Sequence, residues 1–463
     1  MYFEKGMTLI SMADYKINKQ YRFPLGHIFH TEDGKAYKVT SYLGRGGQGE
    51  AYRVIGDDGE FAVKFYNDQF IKTRFAEEFY KNLQRNVANG IPKLSSGDLA
   101  TQFIWPMRMI CKEEGSFGYL MKLFPEGFEP FGNVILQSKL DKERGVRVPL
   151  YFNSWFVCVT AALNIVRAFE ILHASGYSYQ DLNQGGFSVN MKTGSVLICD
   201  CDNVAPDKTN LGILGVMNYM APEVIMKRSL PNRHTDEYSL AVVLFRLFFH
   251  GHPMEGMESR RLHNSEFLSR YQADEVIYGK KPRYCLDSKG NENKPDLKFN
   301  RDVCKLCFTY PMSLMNAFEQ VFTQGVNNPS MRLTATEWRK VLLDVRDHLV
   351  LVDGKEEFFG VRKPKPLPKE CRVLDYPGDR EVLLMPDKIL YQYHLEEYGT
   401  DFKKPVGKII KTNKPGVIGL YNASGLPIHF YYGGKEGDCP DQRRMPLLPG
   451  MELAFGRSRI VVR

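Results

Sequence analysis

A glycine-rich turn constrains the fold of this chain more than any other feature. Gly44-Arg45-Gly46-Gly47-Gln48-Gly49 lies between two runs of β-like residues. A dinucleotide-binding fingerprint would need a helix directly after the glycines and an acidic residue about 20 residues further on. Here a second β-like run, residues 51–55, follows instead, and Asp58-Gly59 then predicts a hairpin. We therefore predict a glycine loop between antiparallel strands, where backbone N–H groups can approach phosphates because no Cβ stands in the way.

The next β-like run holds a lysine between apolar neighbours. Lys64 follows Ala62 and Val63, and a buried ammonium is costly unless anionic groups surround it. Phosphate oxygens and one carboxylate would satisfy it, whereas on an isolated strand such a lysine could simply alternate outward. Residues 70–88 predict an amphipathic helix on which Glu78 borders the apolar face. We predict that Glu78 supplies the carboxylate.

The chain changes character twice along its length. After Pro149 come long apolar patterns that are typical of helices and that end at Gly176 and Gly251. From about residue 353, a Pro/Lys-rich stretch precedes short β-like runs separated by Gly, Pro and Asn. These runs predict a small all-β domain at the end of the chain.

Further motifs stand in the helical part. They are Tyr179-Gln180-Asp181-Leu182, Asp200-Cys201-Asp202, Tyr219-Met220-Ala221-Pro222-Glu223 and Arg332. In this order, and together with the glycine turn and its lysine, they resemble the motifs of the protein kinases over about residues 36–348. The resemblance implies that Asp181 is the catalytic aspartate, which accepts the proton of the substrate hydroxyl, and that Asp200 is a ligand of Mg²⁺. It also implies an ion pair between Glu223 and Arg332.

Kinase-like spacing also implies where ATP would bind. The apolar walls of the adenine pocket would be Leu43, Ala51 and Ala62, with Met121 as the gatekeeper and Leu123 in the hinge. Gly44, Gly46, Gly47, Gly49 and Lys64 would contact the phosphates. Each of the apolar residues would equally suit an ordinary core. The cofactors implied are ATP and Mg²⁺, with Mn²⁺ as an alternative ion.

The metal site departs from the family pattern. Protein kinases have an asparagine five residues after the catalytic aspartate as a second metal ligand, and here that position is Gly186. Asn183 or Asp202 would then have to replace it. The alternative for Asn183 is a hydrogen bond within its own turn.

The pattern for regulation and for substrate choice also differs. Gln180 replaces the arginine that binds a phosphorylated activation loop in the family. We therefore predict that phosphorylation of this loop, where Thr209 is the obvious hydroxyl, is not the main switch. Val216 and Asn183 stand where Ser/Thr kinases usually have Thr and Lys. Signatures of Tyr-specific kinases are missing too, so Ser/Thr hydroxyls are the predicted acceptors.

The sequence thus predicts an α+β protein with a bilobal protein-kinase fold and a small, sandwich-like all-β domain after it. The predicted parts are an N-terminal extension (1–35), an N-lobe (36–125), a C-lobe (126–350), a linker (351–372) and the all-β domain (373–463). This layout resembles β-sandwich tails on bacterial kinase-like proteins, which implies bacterial signalling and a docking role for the tail. A net charge of +8 without a dense Lys/Arg block argues against nucleic acid. No secretory signal and no apolar run of about 20 residues is evident, so we expect a cytoplasmic protein without a membrane span.

Three functions remain open from the sequence. The first is an active Ser/Thr protein kinase, because Lys64, Asp181 and Asp200 are all present. The second is a pseudokinase that binds nucleotide and acts as a signalling scaffold, because Gly186 and Gln180 depart from the pattern. The third, a phosphotransferase for small molecules, fits the Tyr-Met-Ala-Pro-Glu element less well, since this element normally shapes a protein-substrate site.

Overall fold

The computed structural model describes residues 21–91, 102–141, 143–378, 380–395, 401–455 and 458–463. Residues 1–20, most of the predicted N-terminal extension, lie outside the described residues. Contacts divide the chain into two compact units. The first comprises the residues through Phe152 with Thr160–Pro295 and Gln320–Ala335, and the second comprises Asn153–Val159, Asp296–Glu319 and Thr336–Arg463.

The first unit begins with a six-stranded antiparallel sheet. Its strands are β1 (Ile28–His30), β2 (Ala36–Arg45), β3 (Gly49–Gly56), β4 (Gly59–Tyr66), β5 (Arg108–Glu113) and β6 (Ser116–Lys122), in the order β1-β2-β3-β4-β6-β5. Gly56 pairs with Gly59 at the end of the β3–β4 hairpin, as the Asp58-Gly59 signal predicted. Because β1 pairs with β2, the sheet begins within the residues that were assigned to the N-terminal extension.

Two helices, α1 (Asp68–Ile71) and α2 (Ala76–Asn89), follow β4. The predicted helix over residues 70–88 is therefore interrupted, and its main part starts at Ala76. Phe79 and Leu83 are fully buried on α2. Asn82 and Asn86 share that buried face, and each donates a hydrogen bond to the Val204 carbonyl, at 2.9 and 2.8 Å. This pair of amides ties α2 to the segment that follows Asp202.

The rest of the first unit is mainly helical, with short strands. The strands are β7 (Glu129–Pro130), β8 (Ser138–Asp141), β9 (Val146–Pro149), β10 (Tyr177–Ser178), β11 (Phe187–Val189), β12 (Val196–Ile198) and β13 (Ala205–Pro206). The helices are α3 (Phe131–Ile135), α4 (Trp155–Ala174, which begins in the second unit), α5 (Pro222–Ile225), α6 (Arg233–Phe249), α7 (Met257–His263) and α8 (Arg270–Asp274). A π-helical turn, Glu275–Lys280, follows α8.

Helix α4 is, among the described residues, the one helix long and apolar enough to suit a membrane crossing. Most of it is nevertheless buried inside the protein. A core helix has the same composition, so the apolar sequence of α4 is explained by packing.

The second unit carries the C-terminal strands. Its helices are α9 (Arg301–Leu306), α10 (Met312–Asn327) and α11 (Ala335–Asp347), of which α10 ends and α11 begins in the first unit, and α12 (Gln392–Leu395). Its strands are β14 (Leu349–Val352), β15 (Lys355–Phe358), β16 (Arg372–Tyr376), β17 (Arg380–Leu384), β18 (Ile389–Tyr391), β19 (Pro405–Lys411), β20 (Ile418–Asn422), β21 (Ile428–Tyr432), β22 (Lys435–Cys439), β23 (Arg444–Leu447), β24 (Glu452–Phe455) and β25 (Ser458–Val462).

Two sheets with one apolar core form the C-terminal part. The six-stranded sheet has the order β17-β16-β25-β24-β21-β22, and the four-stranded sheet has the order β18-β19-β20-β23. Both contribute to a single buried cluster, for example through Leu374 and Leu453 from the first sheet and Ile409 and Leu420 from the second. The predicted all-β C-terminal domain is thus confirmed. The β14–β15 hairpin occupies part of the stretch that was predicted to be a linker.

Asp347, at the end of α11, is the centre of a buried polar cluster in the second unit. Its Oδ1 accepts hydrogen bonds from the Tyr393 hydroxyl (2.6 Å) and His394 Nε2 (2.9 Å), and its Oδ2 accepts one from Arg380 (3.0 Å). Burial alone would raise the pKa of Asp347, but His394, Arg380 and Lys388 hold it well below the usual range. The end of α11, which was assigned to the C-lobe, is therefore anchored to β17 and α12.

Candidate active site

The glycine turn joins β2 to β3 as a narrow loop. A Cβ on Gly49 would lie 2.2 Å from the Phe65 carbonyl oxygen, so only glycine allows β3 to approach β4 this closely. A Cβ on Gly47 would instead point into open space. Asn67 stabilises the loop, since its Nδ2 donates a hydrogen bond to the Gly47 carbonyl at 2.8 Å. The sequence analysis did not single out Asn67, although it stands just after the lysine strand.

Lys64 on β4 is buried, with 8% of its surface exposed. Its Nζ donates to Asp202 Oδ2 at 2.7 Å, and it lies 3.5 Å from Asp200 Oδ1 and 3.4 Å from Gln48 Oε1. Burial would lower the pKa of Lys64, but the Asp202 and Asp200 carboxylates raise it above its usual value. The lysine therefore points into the protein and carries its charge, as the predicted phosphate-binding role requires.

The predicted pairing of Lys64 with Glu78 is not formed, and this expectation is corrected. Glu78 lies on the exposed face of α2, whose buried face carries Phe79 and Asn82. Asp202 accepts the hydrogen bond from the Lys64 ammonium instead. Glu78 forms no ion pair in the part of the chain that the structure describes.

Asp202 is fully buried beneath Lys64. Its Oδ2 also accepts a hydrogen bond from the Tyr66 hydroxyl. The buried Tyr119 lies next to the same carboxylate, and burial, the Asp202 charge and a side-chain interaction with Asp202 raise the pKa of Tyr119. Its Oδ1 has no hydrogen-bond partner among the described residues. A buried acceptor without a donor costs free energy and is typical of functional positions. The sequence analysis considered Asp202 only as a substitute metal ligand.

Asp181 lies in the loop after β10. Asn183 Nδ2 donates to its Oδ1 at 2.9 Å and to its carbonyl at 3.0 Å, as the turn-internal reading of Asn183 expected. Burial raises the pKa of Asp181 to about 7, the Asn183 hydrogen bond opposes this, and the nearby Asp200 charge adds to it. A carboxylate with a pKa near neutrality is suited to accept a proton from a substrate hydroxyl.

Helix α6 fixes the backbone of this loop. The backbone N–H groups of Tyr179 and Gln180 donate to the two Asp236 carboxylate oxygens at 2.6 and 3.1 Å. Gln180 has a φ of 69°, in the left-handed region. Its side chain donates to the Thr209 carbonyl at 2.8 Å, so a neutral amide holds the segment where the family uses an arginine and a phosphate.

The residues beside Asp200 fit a divalent cation. A Cβ on Gly185 would lie 3.1 Å from Asn183 Oδ1, which accepts a hydrogen bond from the Gly185 N–H at 2.7 Å, and 3.9 Å from Asp200 Oδ2, so both oxygens lie close to the Gly185 backbone. Mg²⁺ prefers oxygen ligands and commonly takes one or two from the protein, with phosphate and water completing its shell. No cluster of three or more His, Cys, Asp or Glu side chains placed for a metal occurs among the described residues. The Asp200 carboxylate, with the Asn183 amide oxygen near it, would hold the ion.

Packing explains why residue 186 is a glycine. A Cβ there would lie 2.8 Å from the Tyr179 hydroxyl, which itself donates to the Cys199 carbonyl. Tyr179 thus fills the space that a side chain at position 186 would need. A side chain at position 186 would therefore have to displace the Tyr179 hydroxyl.

Four of the five predicted adenine-pocket residues belong to one apolar cluster. Leu43, Ala62, Met121 and Leu123 belong to one apolar cluster with Leu197. The buried Ala51 on β3 pairs with Lys64 on β4. Their role in binding adenine stays a prediction.

A cavity of about 290 Å³ lies beside Asp181. It is lined by Gln48 of the glycine loop, Phe75 before α2 and residues 211–216 of the segment that precedes α5. At its edge Gly212, with a φ of 72°, packs so closely on the Phe75 ring that a Cβ would overlap it. The cavity is large enough for part of another molecule to lie next to the Asp181 carboxylate.

The predicted ion pair between Glu223 and Arg332 is confirmed. Two Arg332 nitrogens donate to the two Glu223 carboxylate oxygens at 2.7 and 2.9 Å. Such a bidentate pair with a buried arginine is among the stronger polar contacts in proteins. It fixes the end of the segment that lines the cavity.

The glycine loop, the buried lysine and the two aspartates together define a class of protein that handles phosphate groups. The chain belongs to the protein kinase domain family, whose model matches residues 37–338. It is 22% identical over 232 residues to a candidate serine/threonine-protein kinase/receptor of Acanthamoeba polyphaga mimivirus, which covers 49% of this chain and 13% of that protein. It is 28% identical over 96 residues to the protein kinase gsk31 of Schizosaccharomyces pombe, which covers 20% of this chain and 25% of that protein. The matches thus span a quarter or less of each relative.

Proposed function

We propose that this chain is an ATP-dependent protein kinase that transfers the γ-phosphate of Mg-ATP to protein Ser/Thr hydroxyls at an atypical metal site. The observation that carries the proposal is the convergence of three charged groups. Lys64 Nζ lies 3.5 Å from Asp200 Oδ1, and the Asp200 charge is one of those that raise the pKa of Asp181. An ammonium for phosphates, a carboxylate for a cation and a carboxylate for a hydroxyl proton are the groups that phosphoryl transfer needs.

The chain's own residues divide the work. Lys64 and the open face of the glycine loop would hold the nucleotide phosphates, and Asn183 and Asp200 would hold the metal. Asp181 would orient the acceptor hydroxyl and take its proton, with Asn183 fixing the position of its Oδ1. A bound Mg²⁺ would supply charge neutralisation at the phosphates. Mn²⁺ is the alternative ion.

A pseudokinase is the second candidate, and Gly186 favours it. With that asparagine missing, the protein offers a cation fewer ligands, which would weaken transfer more than nucleotide binding. In that case the chain would bind nucleotide and serve as a signalling scaffold.

Several finer features belong to the same proposal. They are the bilobal arrangement with the boundaries given above, a sandwich-like C-terminal domain that docks a protein partner, and a cytoplasmic, bacterial setting. They rest on the resemblance and on the strand-rich C-terminal part of the chain.

One experiment separates the two candidates. Purified protein is incubated with γ-labelled Mg-ATP or Mn-ATP, alone and with generic protein substrates, beside an Asp181→Asn variant. A kinase transfers label to Ser or Thr, and the variant loses this transfer by about 100-fold or more. Thermal stabilisation by nucleotide without any transfer would favour the pseudokinase, and transfer that survives in the variant would contradict the role of Asp181.

A further inference from the structure

Asp202 was considered from the sequence only as a substitute metal ligand, yet its carboxylate contacts the Lys64 ammonium. It lies two residues after Asp200, in a 3₁₀ turn, Cys201–Asn203. Three observations concern it. Its side chain is fully buried, its Oδ2 receives the Lys64 ammonium at 2.7 Å, and the same oxygen receives the Tyr66 hydroxyl.

Glu78 would otherwise be expected to hold the lysine. It lies in solvent on α2, and the buried positions of that helix are Ala76, Phe79, Asn82, Leu83 and Asn86. Two of them, Asn82 and Asn86, are hydrogen-bonded to the Val204 carbonyl. Bringing Glu78 to Lys64 would require α2 to rotate and to break these buried hydrogen bonds, each of which is costly to leave unmade.

We propose that Asp202 is the positioning residue for Lys64, in the place that a glutamate of α2 would otherwise take. The inference rests on the proposed function, because it concerns the lysine that would hold the nucleotide phosphates. Asp202 acts through Lys64 and does not itself touch the nucleotide. Asp202 holds the Lys64 ammonium in position from the turn that also carries Asp200. The Tyr66 hydroxyl fixes the orientation of the Asp202 carboxylate.

This arrangement has a consequence for α2. In a kinase that uses a helix glutamate, the lysine is aimed only when the helix is in place. Here the aiming carboxylate and the metal-binding Asp200 belong to one turn, so the lysine and the metal site are set by the same short segment. The position of α2 would then have little influence on nucleotide binding.

The test is a double-mutant cycle read by nucleotide binding. The dissociation constant for Mg-ATP is measured by calorimetry for the full chain and for Lys64→Met, Asp202→Asn, Glu78→Gln and the two double variants that carry Lys64→Met. Glu77→Gln, the adjacent exposed carboxylate, is the matched surface control. The melting temperature of each variant shows whether it is folded.

We expect Asp202→Asn to weaken Mg-ATP binding by about 10-fold, as the loss of a charge-assisted contact would, and to have less than about a 2-fold effect once Lys64 is Met. Glu78→Gln and Glu77→Gln should stay within about 2-fold of the unmodified chain. A 10-fold loss in Glu78→Gln with none in Asp202→Asn would overturn the proposal, as would a loss in Asp202→Asn that is equally large without Lys64.

Tyr66→Phe covers the case in which Asp202→Asn does not fold. It removes one donor to Asp202 and keeps the ring, so binding should weaken by a smaller factor, about 2- to 5-fold. A Tyr66→Phe/Lys64→Met variant should differ from Lys64→Met by less than about 2-fold. An unchanged dissociation constant in Tyr66→Phe would count against the proposal.

Failure of the proposed function gives a different result. A chain that binds Mg-ATP with the expected pattern and transfers no label refutes the kinase proposal and keeps Asp202 as the positioning residue. A chain that transfers label but depends on Glu78 does the reverse. No binding by the unmodified chain would overturn both.

Discussion

Two buried aspartates, one in each unit, differ in how many of their carboxylate oxygens accept hydrogen bonds. Asp347 has donors on both oxygens, with Tyr393 and His394 on Oδ1 and Arg380 on Oδ2. Asp202 has Lys64 and Tyr66 on Oδ2, while Oδ1 has no partner among the described residues. Both side chains have 0% of their surface exposed.

The difference indicates what each aspartate does. A buried charge with all its acceptors satisfied holds elements together, and its removal leaves several donors unpaired. A buried charge with one open acceptor keeps part of its desolvation cost, and a functional role is one explanation of such an arrangement. Asp347 is therefore interpreted as structural for α11 and the C-terminal strands, and Asp202 as serving the lysine.

The largest change in the free energy of unfolding is expected when each of the two aspartates is replaced singly by asparagine. Asp347→Asn should lower the free energy of unfolding by about 3–5 kcal/mol, because Arg380 and His394 lose their buried anion. Asp202→Asn should cost less, about 1–3 kcal/mol, since Asp200 remains beside Lys64. Denaturant unfolding at neutral pH measures both.

Asp375→Asn is the matched control for that experiment. Asp375 pairs with Arg463 at an exposed position, so its replacement should cost less than about 1 kcal/mol. A greater loss of stability in Asp202→Asn than in Asp347→Asn would reverse the comparison.

The free energy of unfolding should depend on pH through His252 in the first unit. This buried histidine accepts a hydrogen bond at Nδ1 from the Met254 N–H and donates from Nε2 to the Asn218 carbonyl, which fixes it as the neutral form. Burial lowers its pKa from 6.5 to about 4. Since the unfolded chain binds the proton more readily, stability is fully present above pH 6.5 and falls by about 3 kcal/mol as the pH drops to 4.

Unfolding free energies measured between pH 7 and pH 4 check this effect. His252→Gln keeps one donor and one acceptor and does not titrate there, so its curve should be flatter by the same amount. Equal slopes for the two proteins would show that His252 is not held neutral.

Restoring the family asparagine should sharpen the account of the metal site. Gly186→Asn should destabilise the chain by about 1–3 kcal/mol, because its Cβ would meet the Tyr179 hydroxyl at 2.8 Å. It should not raise the rate of transfer. Adding Tyr179→Phe should recover part of the lost stability, and a Gly186→Asn protein that is fully stable and faster would contradict this steric explanation of Gly186.

The smallest effect is expected at Thr209. Gln180 holds this segment through the Thr209 carbonyl and not through its hydroxyl, so Thr209→Ala should leave the rate of transfer within about 2-fold. Gln180→Ala, which removes the hydrogen bond itself, should lower the rate more than Thr209→Ala does. Loss of transfer in Thr209→Ala would indicate that phosphorylation of this loop is the switch after all.

Local patterns predicted much of the fold and part of the site. Asp58-Gly59 predicted the β3–β4 hairpin, and the order of motifs predicted the pair of Glu223 with Arg332. The same turn signal was missed at Asp353-Gly354, where both residues have positive φ and close the β14–β15 hairpin, because the neighbouring Pro/Lys-rich stretch suggested a linker.

The partner of Lys64 could not be predicted by the same means. Sequence spacing placed Glu78 within reach, but which face of α2 turns inward depends on contacts with Val204, far along the chain. Asp202 is separated from Lys64 by 138 positions. Asn82 and Asn86, which stand among the apolar residues of α2, were a signal for this contact, because buried amides need hydrogen-bond partners.

A structure of the full chain bound to Mg²⁺ and a non-hydrolysable ATP analogue tests the central claim most directly. The account predicts that Lys64 contacts the phosphates while still hydrogen-bonded to Asp202, that Asn183 and Asp200 hold the ion, and that Glu78 stays in solvent. A rotated α2 with Glu78 on Lys64 and with Asp202 released from it would contradict the account.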